Sequence, residues 1–344
     1  MSSSAQFLNP SAAARRLGVS AKALRLYEQH GLITPGRTAA GWRAYGPDEM
    51  SRATEIVALR ALGLSLSQIA RVLGDDPQGL EPALAAHQAT LEGRVCQLAG
   101  TIEKVRDLRA GLAQGKFPTA GELVRLVRPA AGFSVAFDLP WPWGGERFEL
   151  SDIRPLNYII GPLGSGKTRL ARRLAETLPD AVFLGLDRLE HGGAAVRAQL
   201  DANPALQASV DQTLAWLVED GAAVSDALIA LLVGLQSEGA AIVVVDMVEQ
   251  GLEQSAQQAL IAYLRRRGPG ARPLFLLTRS SAILDLAAAD TEETIIFCPA
   301  NHSPPIGVVP YPGAPGYEAV ATCLASPEVR ARTEGVIAWR PQVA

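Results

Sequence analysis

The sequence predicts an α-helical winged helix-turn-helix unit, then a long coiled-coil helix, then an α/β unit of the P-loop NTPase class. Two short helical runs meet at a glycine near the N-terminus, apolar residues recur every seven positions further on, and G-x-x-x-x-G-K-T stands at residues 161–168. We place the three units at residues 1–75, 80–114 and 130–344. A chain of 344 residues is long enough for two domains with separate cores.

Charge is distributed unevenly along the chain. The net charge is −3, yet residues 1–75 carry nine Lys or Arg against five Asp or Glu. A basic module on an acidic body is the pattern expected when only one end of a protein meets nucleic acid. The apolar runs are too short for a membrane span and the N-terminus has no signal-peptide layout, so we expect a cytoplasmic protein with no membrane partner.

The cysteines do not form a recognisable metal or disulfide motif. Cys96, Cys298 and Cys323 lie far apart and lack C-x-x-C spacing, so we expect reduced thiols. A metal site built from Cys96 and the scattered histidines stays open as an alternative, although none of these residues has ligand spacing.

The N-terminal pattern is that of a helix-turn-helix followed by a wing. The first helix ends at Gly18, and Ser20 caps a second helix from Ala21 to His30. Two extended pieces around a Gly- and Pro-rich turn follow at residues 31–45, and two more helices occupy residues 47–62 and 65–73. In such a unit the second helix is the one that enters the major groove.

Three motifs in this region resemble one family. The segments G-V-S-A-K-A-L-R-L-Y-E-Q-H-G-L-I-T-P, G-W-R-A-Y and L-R-A-L-G-L-S-L-S-Q-I follow one another as in the DNA-binding domain of MerR-family transcription regulators, across residues 7–75. The resemblance implies a homodimer that binds double-stranded, palindromic promoter DNA. It also implies bending and untwisting of an overlong spacer, through which RNA polymerase is engaged indirectly.

Carried over position by position, the resemblance names five DNA-binding candidates. Lys22 and Arg25 fall on the recognition helix with Tyr27 beside them, while Arg43 and Tyr45 fall on the wing as phosphate contacts. Core packing is the alternative for the two tyrosines, and for Tyr27 the helical spacing favours it as much as DNA contact.

A heptad pattern follows this domain. Leu84, Leu91, Leu98, Val105 and Leu112 recur every seven residues, and Val95 and Ile102 lie at intervening positions. Such a seam predicts a coiled coil, although a helix that packs on its own domain shows a similar stripe. The MerR resemblance favours an antiparallel pairing of two chains.

The phosphate-binding loop follows the apolar run 156–160 and precedes a helical run. Glycines let backbone N–H groups approach phosphates, Lys167 neutralises their charge and Thr168 offers a hydroxyl to Mg²⁺. We therefore predict ATP or ADP with Mg²⁺ as ligand. The predicted binding residues are Gly161, Pro162, Leu163, Gly164, Ser165, Gly166, Lys167 and Thr168.

A second part of this site is expected where the strand at 241–246 ends in Asp246, a position suited to hold Mg²⁺ together with Thr168. The following D-M-V-E-Q-G-L-E and the later L-T-R-S-S-A-I-L-D resemble the ATPase heads of the ABC and RecF-like class, over residues 133–300. The resemblance implies ATP held between two heads, each of which adds a signature segment.

Departures from that class predict slow or absent hydrolysis. Met247 stands where the class has its hydrolytic Glu, Arg279 stands where it has a γ-phosphate His, and the nearest signature is residues 219–221. Glu249 is a weak candidate for the base, with a structural role as the alternative. Arg279 is predicted to bind the γ-phosphate or to be a surface arginine.

Two further readings stay open. The C-terminal unit could be an active ATPase, or a P-loop kinase in which Asp187 orients an acceptor hydroxyl and Arg188 or Arg197 closes over the phosphates. It could also bind a protein partner, with nucleotide only stabilising the fold.

Overall fold

The computed structural model describes residues 7–76, 80–117, 134–151, 153–237, 239–268, 271–289 and 293–329.

The first two helices form as their capping residues predict. α1 (Pro10–Leu17) begins after Asn9, whose side chain accepts a backbone N–H, and ends at Gly18 in left-handed backbone with φ 68°. α2 (Ala21–Gln29) begins after Ser20, whose hydroxyl does the same. The tight turn between them sets the helix-turn-helix geometry.

A two-stranded ribbon and two more helices complete the first domain. β1 (Gly36–Arg37) pairs antiparallel with β2 (Arg43–Ala44) as the predicted wing, and α3 (Pro47–Ala61) and α4 (Leu66–Val72) follow. Their buried apolar side chains form one core. Its largest members include Leu24, Tyr27, Tyr45, Ile56, Leu64, Leu66 and Ile69.

A single helix, α5 (Leu80–Ala113), leads away from this domain and is 34 residues long. Its heptad side chains are between 38% and 65% exposed, so the described part of the chain leaves much of this apolar stripe uncovered. Of the helices in the described ranges, none is long and apolar enough to cross a membrane.

The C-terminal domain is built on a six-stranded sheet with the order β10-β9-β5-β8-β7-β6. Five of its strands are parallel, including the two expected at 156–160 and 241–246, and the edge strand β10 is antiparallel and lies in a Pro- and Gly-rich stretch. The strands are β5 (Leu156–Ile160), β6 (Ala181–Leu184), β7 (Ile242–Val245), β8 (Leu274–Leu277), β9 (Glu293–Phe297) and β10 (Ile306–Val308).

Helices cover both faces of this sheet, which confirms the α/β prediction. One face carries α6 (Lys167–Thr177) and a separate hairpin of β3 (Val135–Asp138) and β4 (Arg147–Leu150), and the other carries most of the remaining helices. Those helices are α7 (Ala194–Ala202), α8 (Pro204–Glu219), α9 (Asp226–Gln236), α10 (Gln254–Arg265) and α11 (Tyr317–Cys323).

Candidate functional site

The loop at residues 161–168 joins β5 to α6, so the N-terminal amides of α6 face the loop. Gly166, the residue before α6, has φ 92°, and a side chain there would collide with the ring of Trp143. The buried hydroxyl of Ser165 has no hydrogen-bond partner in the described part of the chain. A helix N-terminus with such an unsatisfied group fits an anion such as phosphate.

Lys167 lies back across this loop. Its Nζ donates to the carbonyl oxygens of Gly161 and Pro162, each at 2.7 Å. Burial lowers the pKa of this ammonium, and the neighbouring Arg279 lowers it further. A partly buried cation held over glycine-rich backbone is placed to neutralise phosphate oxygens.

The two predicted Mg²⁺ ligands meet. Thr168 Oγ1 lies 3.1 Å from Asp246 Oδ2, at the end of β7, and Asp246 is buried. A hydroxyl and one carboxylate suit Mg²⁺, which usually keeps several waters and takes its other ligands from phosphates. Among the described residues, no group of three or more His, Cys, Asp or Glu is arranged to hold a metal. The side chain of Cys96, the proposed centre of the alternative metal site, lies outside the described part.

Arg188, the candidate for closing over the phosphates in the kinase hypothesis, instead braces the turn after β7. Met247, directly after Asp246, is in left-handed backbone with φ 45°. The guanidinium of Arg188 donates to the carbonyl oxygens of Gly185 and Asp246 through Nη1, at 2.7 and 2.9 Å, and to that of Met247 through Nη2 at 2.8 Å. Arg188 thus holds the turn that carries Asp246. If the domain were a kinase in which Arg188 closes over the phosphates, Arg188 would have to break its hydrogen bonds to these carbonyl oxygens.

Glu249 connects the ends of two strands. It is buried, and its Oε1 accepts a hydrogen bond from the backbone N–H of Arg279 at 3.0 Å. This contact ties the segment after β7 to the segment after β8, which favours the structural alternative for Glu249 over the base. The Arg279 side chain lines a cavity of about 450 Å³ beside the loop, together with residues 161–163, Thr322 and Cys323.

The two tryptophans before the loop have different environments. Trp143 is buried and its indole N–H donates to the Ser303 carbonyl at 3.1 Å, so it is a packing residue. Trp141 is 69% exposed, and the guanidinium of Arg169 on α6 lies 4.4 Å from its ring centre. Cation–π contact with Arg169 therefore holds the exposed ring beside the loop.

In the first domain, three of the five DNA-binding candidates are polar groups at the surface. Lys22 and Arg25 are exposed on α2, and Arg43 is partly exposed on the wing. Arg43 Nε lies 2.6 Å from Glu28 Oε2, and this contact raises the pKa of Arg43. Arg43 is therefore oriented by an acid of the same domain.

The tyrosines require a correction. Tyr27 is 5% exposed and Tyr45 is fully buried, so both rings belong to the domain core and present no face to a DNA strand. Burial raises the pKa of both phenols. Their spacing beside Leu24 and at the end of the wing is the spacing of core residues, which is why the sequence pattern alone could not separate the two roles.

Comparisons with known proteins agree with these two domains. The family described as "MerR HTH family regulatory protein" matches residues 8–75, and the family described as "AAA domain" matches residues 156–283. A curated "Probable heavy metal-dependent transcriptional regulator" of Haemophilus influenzae is 37% identical over 106 residues, which are 29% of this chain and 83% of that protein.

Two solved structures align with different parts of the chain. The promoter-bound HiNmlR, a MerR family regulator lacking the sensor domain, aligns at 24% identity with a TM-score of 0.22, over 32% of this chain and 92% of that one. The SMC head domain from Thermotoga maritima aligns at 10% identity with a TM-score of 0.37, over 52% of this chain and 99% of that one.

The first matched range contains α1 to α4. The second contains the phosphate loop, Asp246 and Arg279, but not the strands β3, β4, β9 and β10. The chain belongs to the MerR HTH family of regulatory proteins and is a DNA-binding regulator in which a P-loop NTPase domain follows the MerR-type domain.

Proposed function

We propose that this protein is a dimeric transcription regulator whose binding or distortion of promoter DNA is controlled by ATP or ADP at the P-loop. The observation that carries the proposal is the Thr168–Asp246 pair beside a complete phosphate loop, in one chain with a MerR-type domain. A ligand controls such a protein only by binding its two states with different affinity, and DNA must then change nucleotide affinity reciprocally.

The proposed nucleotide site combines groups that suit phosphates with groups that suit Mg²⁺. Backbone amides of the loop and of α6 bind the β- and γ-phosphates, and Lys167 neutralises them. Thr168 and Asp246 hold Mg²⁺, which bridges phosphate oxygens and offsets their charge.

Hydrolysis is proposed to be slow or absent. Met247 has no group that could take a proton from water, and the Oε1 of Glu249 already accepts the Arg279 amide. A general base contributes about 10²- to 10⁴-fold to such a reaction. Bound ATP would then last long enough to act as a signal.

Dimerisation is proposed to use α5. Its exposed stripe of leucine, valine and isoleucine is apolar along several heptads, and apolar surface of this length is stabilised when a second helix covers it. Pairing two chains sets the spacing between their two recognition helices. Each helix would then present Lys22 and Arg25 to one half-site of the promoter. RNA polymerase would respond to the distorted DNA, and the protein would act in the cytoplasm.

The test is the affinity for the protein's own promoter fragment at one fixed salt concentration, without nucleotide and with ADP, ATP or a non-hydrolysable ATP analogue, each with Mg²⁺. Phosphate release is followed in parallel, and Lys167→Ala serves as the variant with a weakened site. A shift in affinity that Lys167→Ala lacks supports the proposal. If the affinity for promoter DNA is the same with and without nucleotide, while phosphate is released at about 1 s⁻¹ or faster, the protein is an enzyme instead.

A further inference from the structure

The P-loop domain is docked on the DNA-binding domain through a buried ion pair. Arg60, near the end of α3, meets Asp220, just after α8, through two hydrogen bonds of 2.6 and 3.2 Å. The backbone N–H of Leu66 donates to the same carboxylate at 2.9 Å. The Asp220 side chain is 1% exposed, so this carboxylate is satisfied by the other domain.

Glu219 adds a second set of contacts to the same joint. Ser65 Oγ donates to its carboxylate at 3.1 Å, Ser67 Oγ donates to its carbonyl at 2.6 Å, and the Arg71 guanidinium lies 3.7 Å from its carboxylate. The segment 219–220, the nearest match to an ABC signature, is therefore engaged by α4 in this structure.

The joint is polar and includes an unsatisfied group. The guanidinium groups of Arg60 and Arg266 lie 5.9 and 4.6 Å from the centre of the Trp216 ring. Its indole N–H is buried without a hydrogen-bond partner in the described ranges. Polar joints between domains resemble transient interfaces, and domains that meet in this way are expected to move relative to one another.

The docked arrangement also engages the recognition helix. Lys22 Nζ donates to the Ser281 carbonyl at 3.0 Å, across 259 positions of sequence. Ser281 belongs to the segment after β8 whose Arg279 amide is bound by Glu249. In the same segment Ser280 Oγ donates to Gln257 Oε1 at 2.6 Å. One short segment, residues 278–281, therefore touches both the nucleotide site and the helix that would read DNA.

We infer that this segment transmits nucleotide state to the DNA-binding domain, with the docked form as the low-affinity form for DNA. A DNA phosphate and the Ser281 carbonyl compete for the same Lys22 ammonium, so docking and DNA binding oppose each other. The inference rests on the proposed function, since nucleotide must move residues 278–281. It adds that nucleotide acts by releasing the Arg60–Asp220 joint, which holds the two domains in the docked form.

The test removes the joint without touching either binding site. Asp220→Asn keeps the side-chain volume but removes the charge that faces Arg60. We expect it to bind promoter DNA more tightly than the wild type in the absence of nucleotide, by roughly 5- to 150-fold, the usual range of allosteric coupling. Its DNA affinity should no longer respond to ADP or ATP. Glu176→Gln, the same kind of change at the exposed Arg173–Glu176 pair on α6, is the matched control and should behave as the wild type.

A second variant pair covers the case in which Asp220→Asn does not fold. Glu219→Arg places a cation beside Arg71 and should undock the domains, and adding Arg71→Glu should restore the wild-type response. Hydrogen exchange at the Leu66 amide, which Asp220 accepts, gives a direct reading of docking in the wild type. It should become faster when nucleotide and Mg²⁺ are added.

The outcomes separate the two proposals. A wild type whose DNA affinity ignores nucleotide contradicts the proposed function itself. A wild type that responds, together with an Asp220→Asn variant that binds nucleotide and responds equally, overturns this inference and leaves the proposed function standing. Unchanged Leu66 exchange in a responding wild type also overturns it.

Discussion

The hydroxyl of Thr168 lies 3.1 Å from the carboxylate of Asp246, although 78 positions separate the two residues. Thr168 lies in the first turn of α6 and Asp246 directly follows β7, and the fold brings both to the same end of the sheet. This is the geometry in which one Mg²⁺ ion could contact both residues and a bound nucleotide.

Removal of the Thr168 hydroxyl should weaken the Mg²⁺-dependent part of nucleotide binding. Thr168→Val is expected to lose about 10- to 100-fold in ADP affinity with Mg²⁺, since a hydrogen bond to a charged group contributes roughly 1.5–3 kcal/mol. Titration calorimetry with and without Mg²⁺ measures this. Thr177→Val makes the same change on the same helix, where the hydroxyl only bonds the Arg173 carbonyl, and should leave affinity unchanged. Equal losses in both variants would refute the Mg²⁺ role.

Hydrolysis should respond to a carboxylate at position 247. Met247→Glu restores the group that the ABC class has after its strand-end aspartate, and a well-placed general base is worth about 10²- to 10⁴-fold. Phosphate release by Met247→Glu should exceed that of both the wild type and Met247→Gln, which has the same shape without the base. If all three release phosphate alike while binding ATP, a missing base is not what limits hydrolysis.

The apolar stripe of α5 should hold two chains together. Leu98 is 62% exposed, so in a monomer a charge there would change stability by about 0.5 kcal/mol or less. In a dimer Leu98→Glu would place two carboxylates in the seam, and sedimentation equilibrium should show the dimer dissociation constant rising at least about tenfold. Ala110→Glu, off the stripe on the same helix, is the control. A wild type that sediments as a monomer would contradict the prediction.

The two described cysteines should differ in reactivity. Burial raises the pKa of Cys298 to about 12, and it also raises the pKa of the half-buried Cys323. Both are therefore thiols near neutral pH, and the thiolate fraction grows only as pH rises above the ordinary range. Alkylation followed by mass spectrometry should show slow labelling of Cys323 that accelerates with pH and almost none at Cys298. Faster labelling of Cys298 in the native protein would contradict its burial.

The local features of this protein were predictable from sequence because each depends on a few neighbouring residues. The cap Ser20, the loop glycines and the continuous apolar runs of the buried strands all act within a few positions. The pairing of Thr168 with Asp246 could also be predicted, since both follow from where elements of a parallel sheet begin and end.

Contacts between distant surfaces could not be predicted in this way. Arg60 and Asp220 are 160 positions apart, and each alone looks like an ordinary charged residue on a helix. The brace from Arg188 to the Asp246 and Met247 carbonyls has no motif, because carbonyl groups exist at every position. Tyr27 and Tyr45 were ambiguous because an aromatic ring at core spacing is also a plausible DNA contact.

The most direct test of nucleotide control is the affinity of this 344-residue chain for its promoter fragment at one salt concentration, with and without ADP or a non-hydrolysable ATP analogue and Mg²⁺. We expect that at least one nucleotide shifts this affinity several-fold, that Lys167→Ala abolishes the shift, and that little phosphate appears with ATP. Identical affinity under all these conditions, with nucleotide shown to be bound, would contradict the claim that the P-loop domain controls DNA binding.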